Sequence, residues 1–253
     1  MSLLALAFFA TALIYASVGF GGGSTYGALL ALNGIDYQIL PSLALICNII
    51  VVTGGVWRFH RAGHLALKRT LPFIMTSIPF AFIGGRLPIS EGLFVGLLGL
   101  SLLGAAVQMF FGTSIKQSES NKKNSAGINA TVGAGLGFLS GMVGIGGGIF
   151  LAPILHFMRW GNAHTIAATC SFFILVNSMS GLAGQLTKLN NLDLVSTLKY
   201  YWPLIAAVLI GGQIGSRLAV INLPEKRIKQ LTAILIAYAA IRLLFKWAAQ
   251  GSA

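Results

Sequence analysis

The run Gly19-Phe20-Gly21-Gly22-Gly23 sits inside an apolar stretch, and much later Gly144-Ile145-Gly146-Gly147-Gly148 sits inside another. Each follows a long apolar run (residues 3–17 and 128–143) and precedes a shorter one (residues 26–32 and 150–157). Apolar runs of this kind predict helix, and clustered glycine predicts a break in it, because glycine adopts backbone conformations other residues resist and leaves room for close approach. The same device, helix, break, helix, is therefore written twice. Where a helix restarts, its first N–H groups lack partners within the helix and its dipole end is positive, so a restart can hold an anion. Ser24 and Thr25 add hydroxyls at the first restart, whereas Ile149 and Phe150 add none at the second.

With 56% hydrophobic and 9% charged residues, the chain falls far below the ~25% charged share of a soluble domain. Lipid leaves no water to satisfy unpaired backbone groups, so the expectation is an all-α polytopic membrane protein. We expect about eight transmembrane helices in two repeats of about four: residues 1–112, a polar linker at 113–126, and residues 127–253. The halves align beyond the glycines, with Asn48 near Asn177, Gly55 near Gly184, and Gly84-Gly85-Arg86 near Gly215-Ser216-Arg217. Such duplication suits a transporter with its site between repeats. Basic clusters follow non-equivalent helices in the two halves, which leans towards inverted repeats and needs one glycine-broken element to be re-entrant or doubly counted, whereas eight simple crossings would make the halves parallel.

The 17 basic residues outnumber the 5 acidic ones, but they gather in loops, as the positive-inside rule predicts, so no nucleic-acid partner is expected. The densest basic loop, from Arg58 through His60, Arg61 and His64 to Lys68 and Arg69, should be cytoplasmic. The N-terminus lacks a basic segment ahead of its apolar run and reads as a mature helix rather than a cleaved signal. Cys47 and Cys170 lie in apolar runs and read as packing residues, with neither disulfide nor metal-site spacing.

None of Asp36, Glu91, Glu119, Asp193 and Glu225 falls near the middle of an expected span. Cation and proton carriers commonly place a carboxylate there, so a small anion is the expected substrate, and any coupled proton travels with it or on another group. The expected contacts are the backbone around Gly21, Gly22, Gly23, Ser24 and Thr25, and around Gly146, Gly147, Gly148 and Ile149. Side chains of Asn48, Thr169, Ser171, Asn177 and Gln185 would add hydroxyls and amides, and Arg86 and Arg217 would supply gating charge near span ends. Each has a plainer role: glycines as helix-crossing points, amides as interhelical bonds, arginines as headgroup anchors. His60 and His64 read as surface, and His156 as an interface residue. No cofactor, metal or catalytic residue is expected. The spacings Gly92/Gly96 and Gly211/Gly215 would permit a homodimer. Two competing functions are a passive anion channel and an intramembrane hydrolase using Ser180 with His164 or His156.

The segments VGFGGGSTYGALLALNGI and GMVGIGGGIFLAPILHF, the latter continuing into AATCSFFILVNSMSGLAGQ, resemble the sulfite exporter TauE/SafE family, also called the toluene sulfonate uptake permease group. Pro153 matches the family's proline after the second glycine motif. The family's later Thr-Ser pair corresponds to Thr169-Cys170-Ser171, into which this chain sets a cysteine. The resemblance implies secondary transport of sulfite, sulfoacetate or another organosulfonate across a bacterial inner membrane.

Overall fold

The computed structural model describes residues 2–111, 126–158, 160–188, 199–218, 237–238, 240–245 and 247–248. The expected linker at 113–126 lies, except for its last residue, outside them, as do Glu119, Asp193 and Glu225. The named helices are α1 (Ser2–Ser17), α2 (Gly23–Leu32), α3 (Leu40–Arg61), α4 (Leu67–Arg86), α5 (Glu91–Phe111), α6 (Ala126–Val143), α7 (Gly148–Phe157), α8 (Ala163–Leu186) and α9 (Trp202–Leu218). The described residues between 237 and 248 are helical too, and no strand occurs among the described residues.

Helices α3 and α8 are each long and apolar enough to cross a bilayer. Both start on identifiable signals. Pro41 occupies the first turn of α3, where its missing N–H has no cost. Asn162 caps α8, its Oδ1 accepting from Thr165 N at 2.8 Å. Around the molecule large apolar side chains remain uncovered by protein, including Leu3 (80% exposed), Met75 (66%) and Phe245 (72%). An apolar perimeter of this kind is stable in lipid and not in water. The chain is an all-helical membrane protein.

Each glycine run turns the chain back rather than continuing it. In the first half Phe8 of α1 stacks on Tyr26 of α2 with ring centroids 4.8 Å apart, and the Tyr15 hydroxyl lies 2.8 Å from Thr25 Oγ1. A collinear restart would hold residues 8 and 26 roughly 27 Å apart at 1.5 Å per residue. In the second half, a Cβ at Gly147 would lie 3.3 Å from Leu136 O and 3.4 Å from Ser140 Cβ. Left-handed glycines make both reversals, at Gly19 (φ 81°) and Gly22 (φ 88°), then at Gly144 (φ 82°), Gly146 (φ 86°) and Gly147 (φ 76°). The sequence pattern left the direction open, because it shows where a helix stops and not which way the chain leaves.

The halves exchange helices. In one direction α6 packs along α4, and in the other α1 packs along α9. Both contacts are backbone to backbone. A Cβ at Gly84 or Gly137 would strike the α6–α4 backbone at Phe138 or Ser77, and one at Gly211 or Gly215 would strike α1 at Phe9 or Leu13. Gly211 and Gly215 are thus used within the chain, and Gly96 is covered by Trp247, 2.9 Å from where its Cβ would be. The small-residue spacings that suggested a dimer serve internal packing instead, apart from Gly92, which has nothing within 4 Å.

Helices α3 and α8 cross at the centre and run in opposite directions, with Gly55 facing Ser171 and Leu45 facing Gly181. His64, just beyond α3, stacks on His164 at the start of α8, with centroids 5.1 Å apart. The two ends of the molecule are held differently. At one end, Arg58 in the last turn of α3 donates to Ser216 Oγ and, at 2.9 Å, to Gln213 Oε1 of α9. At the other end, Gly85 and Gly184 let the ends of α4 and α8 touch backbone to backbone, and Lys188 Nζ donates to Leu87 O at 3.1 Å. Helix α3 extends through Arg61, so Arg58 belongs to a helix joining the halves. The basic loop begins after it, a correction the dense run of bases concealed.

Candidate functional site at the meeting of the two glycine breaks

The reversals at Gly19–Gly23 and Gly144–Gly148 are buried and lie against each other. A Cβ at Gly23 would stand 2.6 Å from Ile145 O, so the first break touches the backbone of the second. Asn48 of α3 fills the angle between them. Its Nδ2 donates to Ile145 O at 3.2 Å, and its side chain also lies beside Gly21 and Gly23. From the other side, Cβ atoms at Gly146 would begin 2.9 Å from Asn48 Nδ2, 2.9 Å from Ile174 Cγ2 and 3.3 Å from Ser178 Oγ. Asn48 and Ser178 therefore flank one position, contributed by the two helices that cross at the centre.

Two buried polar atoms beside the breaks lack a partner, Asn48 Oδ1 and Ser178 Oγ, and so do Asn177 Oδ1 and Thr169 Oγ1 elsewhere on α8. Leaving such a group unbonded costs about 1–3 kcal/mol. In a well-packed interior nearly all of them would be bonded, so the Asn48 and Ser178 oxygens beside the breaks mark a place where a polar guest would gain bonds. The Ser178 and Thr169 hydroxyls can turn to donate to an anion, whereas the two amide oxygens are acceptors whose Nδ2 groups are already bonded to Ile145 O and Phe173 O. Among the described residues no group of three or more His, Cys, Asp or Glu could hold a metal ion.

The other expected residues divide. Gly22 and Gly147 cap α2 and α7 in left-handed conformation. Gly148 packs on Ile174, and Ile149 is buried in the apolar core. The Thr25 hydroxyl is taken by Tyr15, and Ser171 Oγ donates to Gly19 O at 2.6 Å, so Ser171 fastens α8 to the first break. Asn177 is buried, but its Nδ2 bonds within its own helix to Phe173 O at 2.8 Å. Gln185 bonds Gly141 O at 2.8 Å near the end of α6. Arg86 and Arg217 are exposed at the ends of α4 and α9, away from the glycine breaks. Cys47 and Cys170 are buried free thiols. Ser180 Oγ donates to Ile78 O at 2.6 Å, so its hydroxyl ties α8 to α4.

The sequence alone missed Ser178, Tyr15 and Tyr26 as members of this centre. The signal was present in the repeat register. Thr11, Tyr15, Gly22 and Tyr26 stand at one constant spacing from Leu136, Ser140, Gly147 and Leu151, and the structure sets Thr11 beside Gly22 and Leu136 beside Gly147.

The family model described as sulfite exporter TauE/SafE matches residues 3–243. The chain is 33% identical over 245 residues to probable membrane transporter protein y4hK of Sinorhizobium fredii, covering 96% of this chain and 97% of that one. It is 24% identical over 199 residues to probable membrane transporter protein MJ0441 of Methanocaldococcus jannaschii, covering 74% and 73% respectively. No solved structure matches.

Proposed function

This chain belongs to the sulfite exporter TauE/SafE family, and we propose that it is a secondary transporter carrying a small sulfur-containing anion, sulfite or an organosulfonate, across the bacterial inner membrane. The observation that carries this reading is the pair of buried glycine reversals meeting at Asn48, with unbonded polar atoms around them. The membrane architecture is two repeats, residues 1–112 and 127–253 joined by the linker at 113–126. Each would consist of a re-entrant hairpin, which does not cross, and three further helices, so that the about eight apolar units comprise about six crossings and two hairpins. The opposed directions of α3 and α8 support an inverted relation between repeats, the arrangement in which a central site is reached alternately from two sides. The basic residues at the end of α3 and after it would face the cytoplasm.

The anion would lie between the breaks, where helix N-termini and neutral donors replace its hydration. Because Gly23 and Ile145 are in direct contact, the breaks must part to admit it. Movement of the α4–α6 pair against the α1–α9 pair supplies that opening, with Arg58 releasing or holding the cytoplasmic end. No carboxylate of the described residues lies near the breaks, so a coupled proton would travel on the substrate.

The test is uptake of labelled sulfite into proteoliposomes holding the purified protein, with and without an imposed pH gradient. Saturable uptake competed by sulfonates is expected. Uptake that runs uphill under the gradient supports coupling, and strictly downhill uptake would replace the carrier with a channel.

A further inference from the structure

The two hairpins have one backbone and unlike linings. Around Gly22 stand Tyr26 and the methyl of Thr11, with the Tyr15 and Thr25 hydroxyls bonded to each other in the same hairpin; at the register of Thr11, Tyr15, Thr25 and Tyr26 the second half carries Leu136, Ser140, Phe150 and Leu151. Tyr26 is decisive. It is fully buried, its hydroxyl has no partner, and its ring carbon Cζ lies 3.0 Å from where a Cβ of Gly22 would be. Helical side chains lean towards the N-terminus of their helix, so the phenol folds back over the start of α2. There it joins the first-turn N–H groups, themselves donors at the positive end of the helix dipole. A buried tyrosine hydroxyl usually finds a partner. Here the one end of the helix suited to an anion is also where the unpaired hydroxyl sits.

The neighbours of this break are all uncharged: Ala167 at Gly19, Asn48 and Ile174 at Gly21, Thr11 and Tyr26 at Gly22, and Asn48 and Ile145 at Gly23. The desolvation penalty rises with the square of the charge, so neutral donors that can repay it for a single charge fall short for two. We propose that the first glycine break is the substrate subsite, that the Tyr26 hydroxyl donates to the bound anion, and that the subsite takes singly charged sulfur oxyanions, sulfonates or hydrogensulfite, and rejects doubly charged ones. This rests on the transport reading and assigns it a charge class and a residue. Sulfite is then carried as its protonated monoanion, and the proton crosses with it.

The experiment uses the full chain in proteoliposomes with labelled methanesulfonate, which is a monoanion across the working pH range, and labelled sulfate and sulfite. Wild type is expected to carry methanesulfonate with a pH-independent KM and to exclude sulfate. Its apparent KM for sulfite should fall as pH falls, in inverse proportion to the hydrogensulfite fraction. Tyr26→Phe removes one oxygen, and the KM for methanesulfonate should rise about tenfold with kcat largely kept. Thr11→Val, which keeps the methyl facing Gly22 and removes only a hydroxyl bonded to Ala7 O, should leave KM unchanged. Sulfate carried as well as methanesulfonate, or a Tyr26→Phe protein with wild-type KM, would overturn the subsite while leaving transport of sulfur anions standing. If correctly folded wild type carries no sulfur anion at all, the transport reading falls and the subsite with it.

Discussion

The two glycine hairpins are built on the same turn and differ in what surrounds it. Both reverse the chain through left-handed glycines at equivalent places, and both bury that turn against a central helix. The first carries Tyr15 and the unpartnered Tyr26 where the second carries Ser140 and Leu151. Shared backbone with diverged lining indicates that architecture and recognition are separate demands. The turn must be glycine in both copies, because a Cβ at Gly23 or Gly146 would meet the backbone or amide of the opposite half. The lining is free to specialise in one copy once the other needs only to close the site.

The largest effects should come from breaking the shared part. A valine at Gly146 would be strained at φ 86° and would press on Asn48 and Ile174. Left-handed strain for a β-branched residue is about 1–3 kcal/mol before any clash. Gly146→Val is therefore expected to abolish sulfite uptake while the purified protein stays monodisperse by size-exclusion chromatography, and Gly22→Val should do the same through its φ of 88°.

Next in size is the amide pair, which separates the halves. Asn48 bonds across to Ile145 O, whereas Asn177 bonds only within α8. Asn48→Ala should lower unfolding stability by about 1–3 kcal/mol, the cost of a buried carbonyl left unpaired, and cut uptake. Asn177→Ala should be milder on stability, because Phe173 O keeps its helical bond. Equal effects in thermal unfolding would remove the distinction.

The smallest effect concerns Ser171 and Ser42, which share the repeat spacing of the two asparagines. Ser171 fastens to Gly19 O, but Ser42 Oγ is buried without a partner. Ser171→Ala should cost about 1 kcal/mol, and Ser42→Ala should be neutral or slightly stabilising. Thermal unfolding of the two single variants in one detergent decides it.

Much of this was legible in the sequence, and the failures have physical reasons. Helices and the duplication follow from apolar period and glycine spacing, which are local properties. The direction of the chain after Gly19–Gly23 is set by the sign of φ at particular glycines, and glycine is chosen for permitting either sign. Arg58 sat in a run of bases and read as loop, since its acceptors Gln213 and Ser216 are far away in sequence. Ser171 and Thr25 were expected to face a substrate, but their hydroxyls close bonds within the protein. Tyr26 looked like core, and only its buried, unpaired oxygen distinguishes it.

The most direct test of a transport site between the two breaks is labelled sulfite uptake by wild type and Gly146→Val, reconstituted side by side at equal protein density. Saturable uptake by wild type and background uptake by the variant are expected. Equal saturable uptake by both would contradict it, because an anion that passes regardless of a side chain at Gly146 does not pass between the glycine breaks.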